Sequence, residues 1–270
     1  MKELLELMAW KMIPPKPYGL FHLTFFMVGI FMCIYFANKL KNANDKKNNK
    51  ILFLMGLFLL IIEIYKELFY YFVVNDGEYD FSIFPFQLCD VPMYICLIVP
   101  LVKNKKVKQA AYNFMVSYNL LGAFITFFEP SSLCREYFMM TLHGFIWHLA
   151  LVFIGIYLAL SNRCLKSIKD FKTSFSVYLV LCFIALTLNI SLKGISNGNL
   201  NLFYLGPSIS PIIVFKDISI KFGWGINMVV FITVMTLGAY FVYLFFYNLE
   251  SIKLLIKEKI KGGLKDELQG

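Results

Sequence analysis

Seven stretches of this sequence, 19–38, 51–74, 83–102, 107–128, 138–160, 174–192 and 224–247, are apolar over a length that matches a lipid bilayer. A helix needs about 20 residues to cross some 30 Å of hydrocarbon, since each residue advances it by about 1.5 Å. Within hydrocarbon every backbone N–H and C=O must be satisfied by the chain itself, which makes such runs helices. The expected fold is therefore all-α, a polytopic transmembrane bundle of about seven spans in the cell membrane. Only 16% of the residues are charged, against about 25% in a soluble domain. What remains between the apolar runs is too short to hold a separate soluble domain.

The basic residues set the expected orientation. Of the 26 Lys and Arg, 18 fall in the segments 39–50, 103–108, 163–172 and 253–265, which an alternating chain puts on one side. Seven fall on the other side, and Lys66 lies within a span. Short cytoplasmic loops carry the excess of Lys and Arg, so the N-terminus is expected outside and the C-terminus inside. The formal charge of +9 thus reflects loops, with no separate basic surface for nucleic acid. Residues 1–18 mix Lys2, Glu3, Glu6, Lys11 and Lys16 with apolar residues before Pro14, Pro15 and Pro17. They read as an interfacial segment and not as a cleavable signal. A transmembrane domain over 19–248 and a basic cytoplasmic tail over 249–270 complete the expected organisation, with 39–50 as a solvated Asn/Lys-rich loop. Six cysteines scattered mostly through apolar runs do not form a disulfide framework.

An ionisable residue inside a span is costly and should face the bundle interior. The second span carries Glu63, Lys66 and Glu67 at i, i+3 and i+4, one helical face, with Tyr70 a turn further. This is either an internally neutralised ion pair or part of a functional cavity. If the third span is helical from its start, Gln87 and Asp90 share a face above Tyr94, with Cys89 beside Asp90. The fifth span adds His143 and His148, the fourth Asn113 and Asn119, the sixth Asn189 and the first His22. With the N-terminus outside, Cys89, Asp90 and His143 fall roughly 8–10 Å below the outer boundary, with Lys66, Glu67 and Asn119 close to that level. The cytoplasmic halves of these helices are nearly all apolar. Residues from several helices at one depth imply a polar cavity open to the outer leaflet. The long connection 194–223, with Leu202, Phe203, Tyr204 and Phe215, is expected to pack back over it, as a lid or re-entrant segment rather than a plain surface loop.

A Cys and a His in reach of each other make a nucleophile and its base, because the thiolate is the reactive form. Asp90, Glu67 or Gln87 could orient the imidazole. The ester carbonyl of an outer-leaflet lipid would lie at this depth. Buried free cysteines are also common packing residues, which suffices for Cys33 and Cys182.

The stretch Phe84-Pro85-Phe86-Gln87-Leu88-Cys89-Asp90 resembles the Leu-Pro-Leu-His-Leu-Cys stretch of the bacterial YwaF-type membrane proteins. His22, Phe128-Glu129-Pro130, Leu142-His143-Gly144 and Asn201-Leu202-Phe203-Tyr204-Leu205 with Pro207 are similar in kind. The resemblance covers nearly the whole chain through short motifs. Eukaryotic relatives of that family are associated with acyl transfer among phospholipids by a membrane-embedded Cys and His. By position, the resemblance implies Cys89 as nucleophile and His143 as base. The chain departs from the family where a His two residues before the Cys is replaced by Gln87, which cannot take a proton, so the base role falls to His143.

The leading expectation is a lipid acyltransferase or thiol-type lipid hydrolase with membrane lipid as substrate. Glu63, Lys66, Glu67 and Asp90 would also suit a proton relay in a carrier or channel. A metal-dependent hydrolase using His22, His143, His148 and Asp90 is disfavoured, since residues five apart diverge by some 140° on a helix. A partner or sensor protein without catalysis remains open. With no nucleotide-binding glycine loop and no HExxH, the sequence calls for no cofactor and no metal. The orientation is checked by labelling. In a background without native thiols, a cysteine replacing Gly77 should react with an impermeant maleimide in whole cells, and one replacing Asn44 should not. The reverse pattern overturns the orientation.

Overall fold

The computed structural model describes residues 2–210 and 212–249. Apart from its first residue, the expected basic tail 249–270 lies outside the described residues. All regular elements among them are helical. They are α1 (Lys2–Leu7), α2 (Leu20–Leu40), α3 (Asp45–Phe69), α4 (Val91–Ile98), α5 (Lys105–Phe114), α6 (Leu120–Phe128), α7 (Phe138–Leu160), α8 (Phe171–Ser191), α9 (Ile213–Phe222) and α10 (Trp224–Tyr247). Each of the seven apolar runs falls on one or more of these helices. Among the described residues four are long and apolar enough to cross a membrane: Leu20–Leu40, Phe138–Leu160, Ile168–Ser191 and Trp224–Tyr247.

The other three runs depart from a plain span, each for a local reason. α3 is long enough but starts on Asp45-Lys46-Lys47 and carries Glu63, Lys66 and Glu67. It continues into a wider π turn at Tyr70–Val74. The third run is helical only from Val91, where Pro92 occupies the first turn and needs no N–H partner. Residues 84–90 before it form bends and turns, so Gln87 and Asp90 do not share a helix face as expected. The fourth run is divided by a π segment, Met115–Asn119, between α5 and α6.

The expected loop 39–50 is much shorter than its composition implied, because α2 runs to Leu40 and α3 begins at Asp45. Asn44 caps α3, its side chain accepting the Lys47 N–H at 2.9 Å, and Asp45 sits favourably at the positive helix end. Asn104 caps α5 in the same way, accepting the Lys106 N–H at 2.9 Å.

α7 is the central helix. It packs against α2, α3, α6 and the Met115–Asn119 segment, and its buried side chains include Phe145, Trp147, Leu151, Ile154 and Tyr157. α2 is peripheral, burying only His22, Cys33 and Ala37 and exposing Leu23, Met27, Val28 and Phe31. Exposed apolar side chains of this kind suit contact with lipid. The N-terminal segment lies across one end of the bundle. The N–H of Met12 donates to the Glu136 carbonyl at 2.7 Å and that of Phe138 to the Trp10 carbonyl at 2.9 Å. α1 ends at Leu7, before the prolines, with Leu5 packed on Phe69 and Met140.

Close helix contact is made through glycine, as expected where van der Waals packing drives association. At Gly56 of α3 an added Cβ would lie 2.9 Å from the backbone nitrogen of Leu97 in α4. Backbone cannot yield as a flexible side chain can, so Gly56→Ala should force α3 and α4 apart and cost about 1–3 kcal/mol. A lower melting temperature in detergent checks this; an unchanged one means the two helices do not meet so closely.

Candidate functional site

A cavity of about 250 Å³ lies between α3, the bends before α4, the start of α7 and the loop after α8. Its walls include Glu63, Lys66, Gln87, Cys89, Asp90, His143 and His148, seven of the eleven residues the sequence singled out. The remaining four, His22, Glu67, Asn119 and Asn189, do not line it.

Lys66 is the charged centre. Its Nζ is 2.6 Å from Glu63 Oε1 and 3.5 Å from Glu67 Oε1, and it donates to the carbonyl of Ile83 at 3.1 Å. The i, i+3 and i+4 spacing on α3 puts both carboxylates against one ammonium, and Glu63 is buried. The bond to Ile83 fastens α3 to the connection leading into α4.

That connection is irregular, and its polar groups are met one by one. Asp90 Oδ2 accepts the Gln87 N–H at 2.6 Å. The Tyr94 hydroxyl donates to the Pro85 carbonyl at 2.6 Å. Trp147 Nε1 of α7 donates to the Cys89 carbonyl at 3.2 Å. The Trp147 ring also stacks on His143, one turn earlier, with centroids 5.6 Å apart. One tryptophan therefore touches the backbone of Cys89 and the imidazole of His143. Among the described residues the Nε2 of His143 is buried without a hydrogen-bond partner. His148 is oriented differently, its Nδ1 lying 2.8 Å from the Gly144 carbonyl.

Gln87 does not orient the imidazole. Its Nε2 donates to the Asn201 carbonyl at 3.0 Å, and its Oε1 accepts the Phe203 N–H at 2.8 Å. Asn189 treats the residue between in the same way. Its Nδ2 donates to the Leu202 carbonyl at 3.0 Å and its Oδ1 accepts the Leu202 N–H at 2.7 Å. Two amides thus hold three successive residues of the 194–223 connection, and Leu202, Phe203 and Leu205 are buried. Phe203 and Tyr204 adopt φ of 54° and 55°, a turn that sends Tyr204 to the cavity wall.

The other polar residues have separate tasks. Asn119 Nδ2 donates to the carbonyls of Met115 at 3.2 Å and Leu151 at 3.0 Å, holding the π segment against α7. His22 sits at the start of α2, where its Nδ1 accepts the Tyr18 N–H at 3.2 Å and its ring meets Phe145 edge-on. Among the described residues no three His, Cys, Asp or Glu side chains are grouped to hold a metal ion. The set His22, His143, His148 and Asp90 does not assemble, since His22 lies apart from the cavity.

Sequence reasoning missed Ser82, Thr126, Arg135 and Trp147 on the cavity wall, where Tyr204 of the expected overlying connection also lies. Trp147 was legible as the residue one turn after His143; Arg135 was counted only as a loop charge. It also expected no G-x-S-x-G, but Gly194-Ile195-Ser196-Asn197-Gly198 has that pattern. Ser196 lies in a turn after α8 with its Oγ 3.3 Å from the Lys193 carbonyl. That is not the strand-to-helix elbow the motif requires.

The ion cluster has a measurable consequence. Lys66→Met leaves Glu63 buried without its cation, and breaking a buried pair costs about 3–5 kcal/mol. The variant should melt well below wild type, and replacing Glu63, Lys66 and Glu67 together by Gln, Met and Gln should recover part of the loss. Equal stability of Lys66→Met and wild type would mean that the lysine is not held by its carboxylates.

The pattern of the whole chain agrees with a single membrane-protein family. No curated protein and no solved structure matches the chain. A family model described as the TMEM164 family matches residues 17–247, from just before α2 to the last residue of α10. This chain belongs to the TMEM164 family.

Proposed function

We propose that the chain crosses the cell membrane seven times with its N-terminus outside, and that it is a lipid acyltransferase or thiol-type lipid hydrolase. α2, α3, α4, the α5–α6 pair, α7, α8 and α10 are the seven crossings in this reading. The distribution of Lys and Arg supports it, as does the burial of Lys66 among carboxylates in α3. The substrate is an ester-linked lipid of the outer leaflet.

The observation that carries the chemical reading is the juxtaposition of Cys89 and His143 at one cavity, linked through Trp147. The free Nε2 of His143 is the atom available to take a proton. In the first step Cys89 Sγ bonds to the acyl carbonyl carbon while its proton passes to His143. The ester C–O bond then breaks, and the leaving lipid oxygen recovers that proton from the imidazolium. A thioester remains on Cys89. Water or an alcohol attacks it, giving its proton to His143; the C–S bond breaks and the thiolate is reprotonated. Atoms and charge balance with no cofactor. The resemblance of residues 84–90 to the YwaF-type stretch supports the same pair.

An apolar groove of about 1190 Å³ between α2, α3 and α7, lined by Phe25, Met32, Phe58, Leu149 and Phe153 among others, is consistent with a lipid substrate. It shares α3 and α7 with the cavity. The carrier reading keeps one specific support, the cluster of Glu63, Lys66 and Asp90 on the cavity wall, which would suit a proton relay.

Nucleophile and base acting as one unit give non-additive losses. Cys89→Ala and His143→Ala should each abolish acyl release from a fluorescent phospholipid in proteoliposomes, and the double variant should be little worse than either. Cys96, buried on α4 and 4.0 Å from the Met115 sulfur, is the control, and Cys96→Ala should be mild. An acyl-thioester probe should label Cys89 only when His143 is intact. Full turnover by Cys89→Ala defeats the mechanism, and proton flux through wild-type proteoliposomes without turnover would put the carrier first.

A further inference from the structure

The cavity contains two cationic residues, and the protein neutralises only one of them. Lys66 has three oxygen neighbours, from Glu63, Glu67 and Ile83, so its charge is matched by carboxylates. Of the other carboxylates nearby, Asp90 already accepts the Gln87 N–H, and Glu129 accepts the Ser131 hydroxyl at 2.5 Å. Arg135 is different. It is exposed and lines the cavity, yet its guanidinium makes no hydrogen bond and no ion pair with any described residue.

The backbone carrying that free guanidinium is held firmly. The Arg135 N–H donates to Thr141 Oγ1 at 2.9 Å, and the same hydroxyl donates back to the Arg135 carbonyl at 3.1 Å. Thr141 is fully buried in the first turn of α7. On the following residues, Glu136 and Phe138 bond to Met12 and Trp10 of the N-terminal segment. The main-chain bonds fix where this side chain starts, at the cavity wall, and leave its guanidinium available to a group from outside the protein. The guanidinium offers five donors in a planar fork that matches the paired oxygens of phosphate. A carboxylate would fit the fork equally well, but the hydroxyl of Ser132 on the same wall adds a donor that a tetrahedral anion can use, while those of Ser82 and Thr126 already donate to Asp80 and the Gly122 carbonyl.

We propose that Arg135 is the anion-recognising residue of this cavity and takes the phosphate of a lipid headgroup. This rests on the reading that the cavity receives a lipid, and it assigns the headgroup contact to a residue outside the Cys89/His143 pair. Arg135 would fix the headgroup at the mouth, so that the ester carbonyls, which lie deeper in the bilayer than the phosphate, hang toward Cys89. It acts as a specificity-determining residue, selecting phosphate-bearing lipids over neutral glycerides of equal chain length.

The experiment measures binding and leaves chemistry out. Full-length protein with Cys89→Ala, in detergent, is titrated with dioctanoyl phosphatidylglycerol, dioctanoylglycerol and inorganic phosphate. The phospholipid should bind most tightly. Adding Arg135→Gln should weaken it about ten- to a hundredfold, the usual range for losing a charge-assisted contact. Arg135→Lys, which keeps the charge but loses the fork, should fall between. Dioctanoylglycerol should bind weakly and equally to all three. The Thr141 contacts use only the main chain of residue 135, so the melting temperature of Arg135→Gln should match its parent; if it does not, Arg135→Lys decides by the same comparison. Phospholipid binding unchanged by either variant overturns the proposal. Inorganic phosphate binding as tightly as the phospholipid, with the same dependence on Arg135, would overturn the lipid source and leave a free-anion site. Since no nucleophile is present in these proteins, failure here says nothing against Cys89, which the turnover of Cys89→Ala tests alone.

Discussion

A lysine ammonium within an apolar helical bundle must be given its oxygen partners by the chain, and the site end of this protein is arranged around that demand. Two of the partners of Lys66 come from its own helix face, which costs no rearrangement of the fold. The third is the carbonyl of Ile83, and it can be supplied only if the chain after α3 turns back across the bundle. That return path is why residues 84–90 are not helix. In the proposed seven-span arrangement this stretch lies at membrane depth, where irregular backbone is tolerated if it is enclosed in protein or lines a cavity. Here it does both, and Cys89 and Asp90 face the cavity because they belong to it.

Irregular backbone brings exposed N–H and C=O groups, and the protein answers with side-chain amides and ring donors. Asp90, Tyr94 and Trp147 satisfy the stretch before α4. Gln87 and Asn189 satisfy the stretch 201–203, so that a second irregular segment closes over the first. Each amide presents one donor and one acceptor to adjacent peptide groups, imitating a strand partner without a strand. A histidine at position 87 could not do this in the same way, because a neutral imidazole has its donor and acceptor on opposite sides of the ring. The departure from the YwaF-type stretch at Gln87 is thus consistent with a structural task in this chain.

The helices were legible in the sequence because apolar length is a direct reading of bilayer thickness, and α7 and α10 begin and end where the apolar runs do. The third run misled, since Phe84 to Asp90 are apolar enough to continue a span while Pro85 and Pro92 argue for a start at Val91. Charge position was legible too: i, i+3 and i+4 spacing on α3 makes the Lys66 cluster unavoidable. Depth alone proved too coarse to choose the cavity residues. Asn119 was expected near the level of the cavity residues and His22 and Asn189 somewhat shallower, yet they serve a π segment, a helix start and a loop. Direction around a helix decides such cases, and that depends on which neighbours the helix finds. Trp147 and Arg135 join the site through contacts between segments far apart in sequence, which no local spacing encodes.

The two ends of the bundle are built on opposite terms, and the contrast bears on function. At the end where α3 and α5 begin, Asn48 accepts the Tyr157 hydroxyl at 2.9 Å and donates to that of Tyr112 at 3.1 Å. Asn113 donates to Thr173 and accepts the Leu165 N–H at 3.0 Å, while Ser117 and Ser174 pair at 3.1 Å. All of these but Thr173 and Leu165 are buried, each has its partner, and the network ties α3, α5, α7 and α8 together. Buried polar networks that are fully satisfied rigidify what they join. At the other end, among the described residues, Arg135 and the Nε2 of His143 stand without partners on one cavity wall. A carrier must open each end in turn, and opening the first would break several buried hydrogen bonds together. An enzyme that admits a lipid from one leaflet needs only the second end open, and that is the end where the cavity lies.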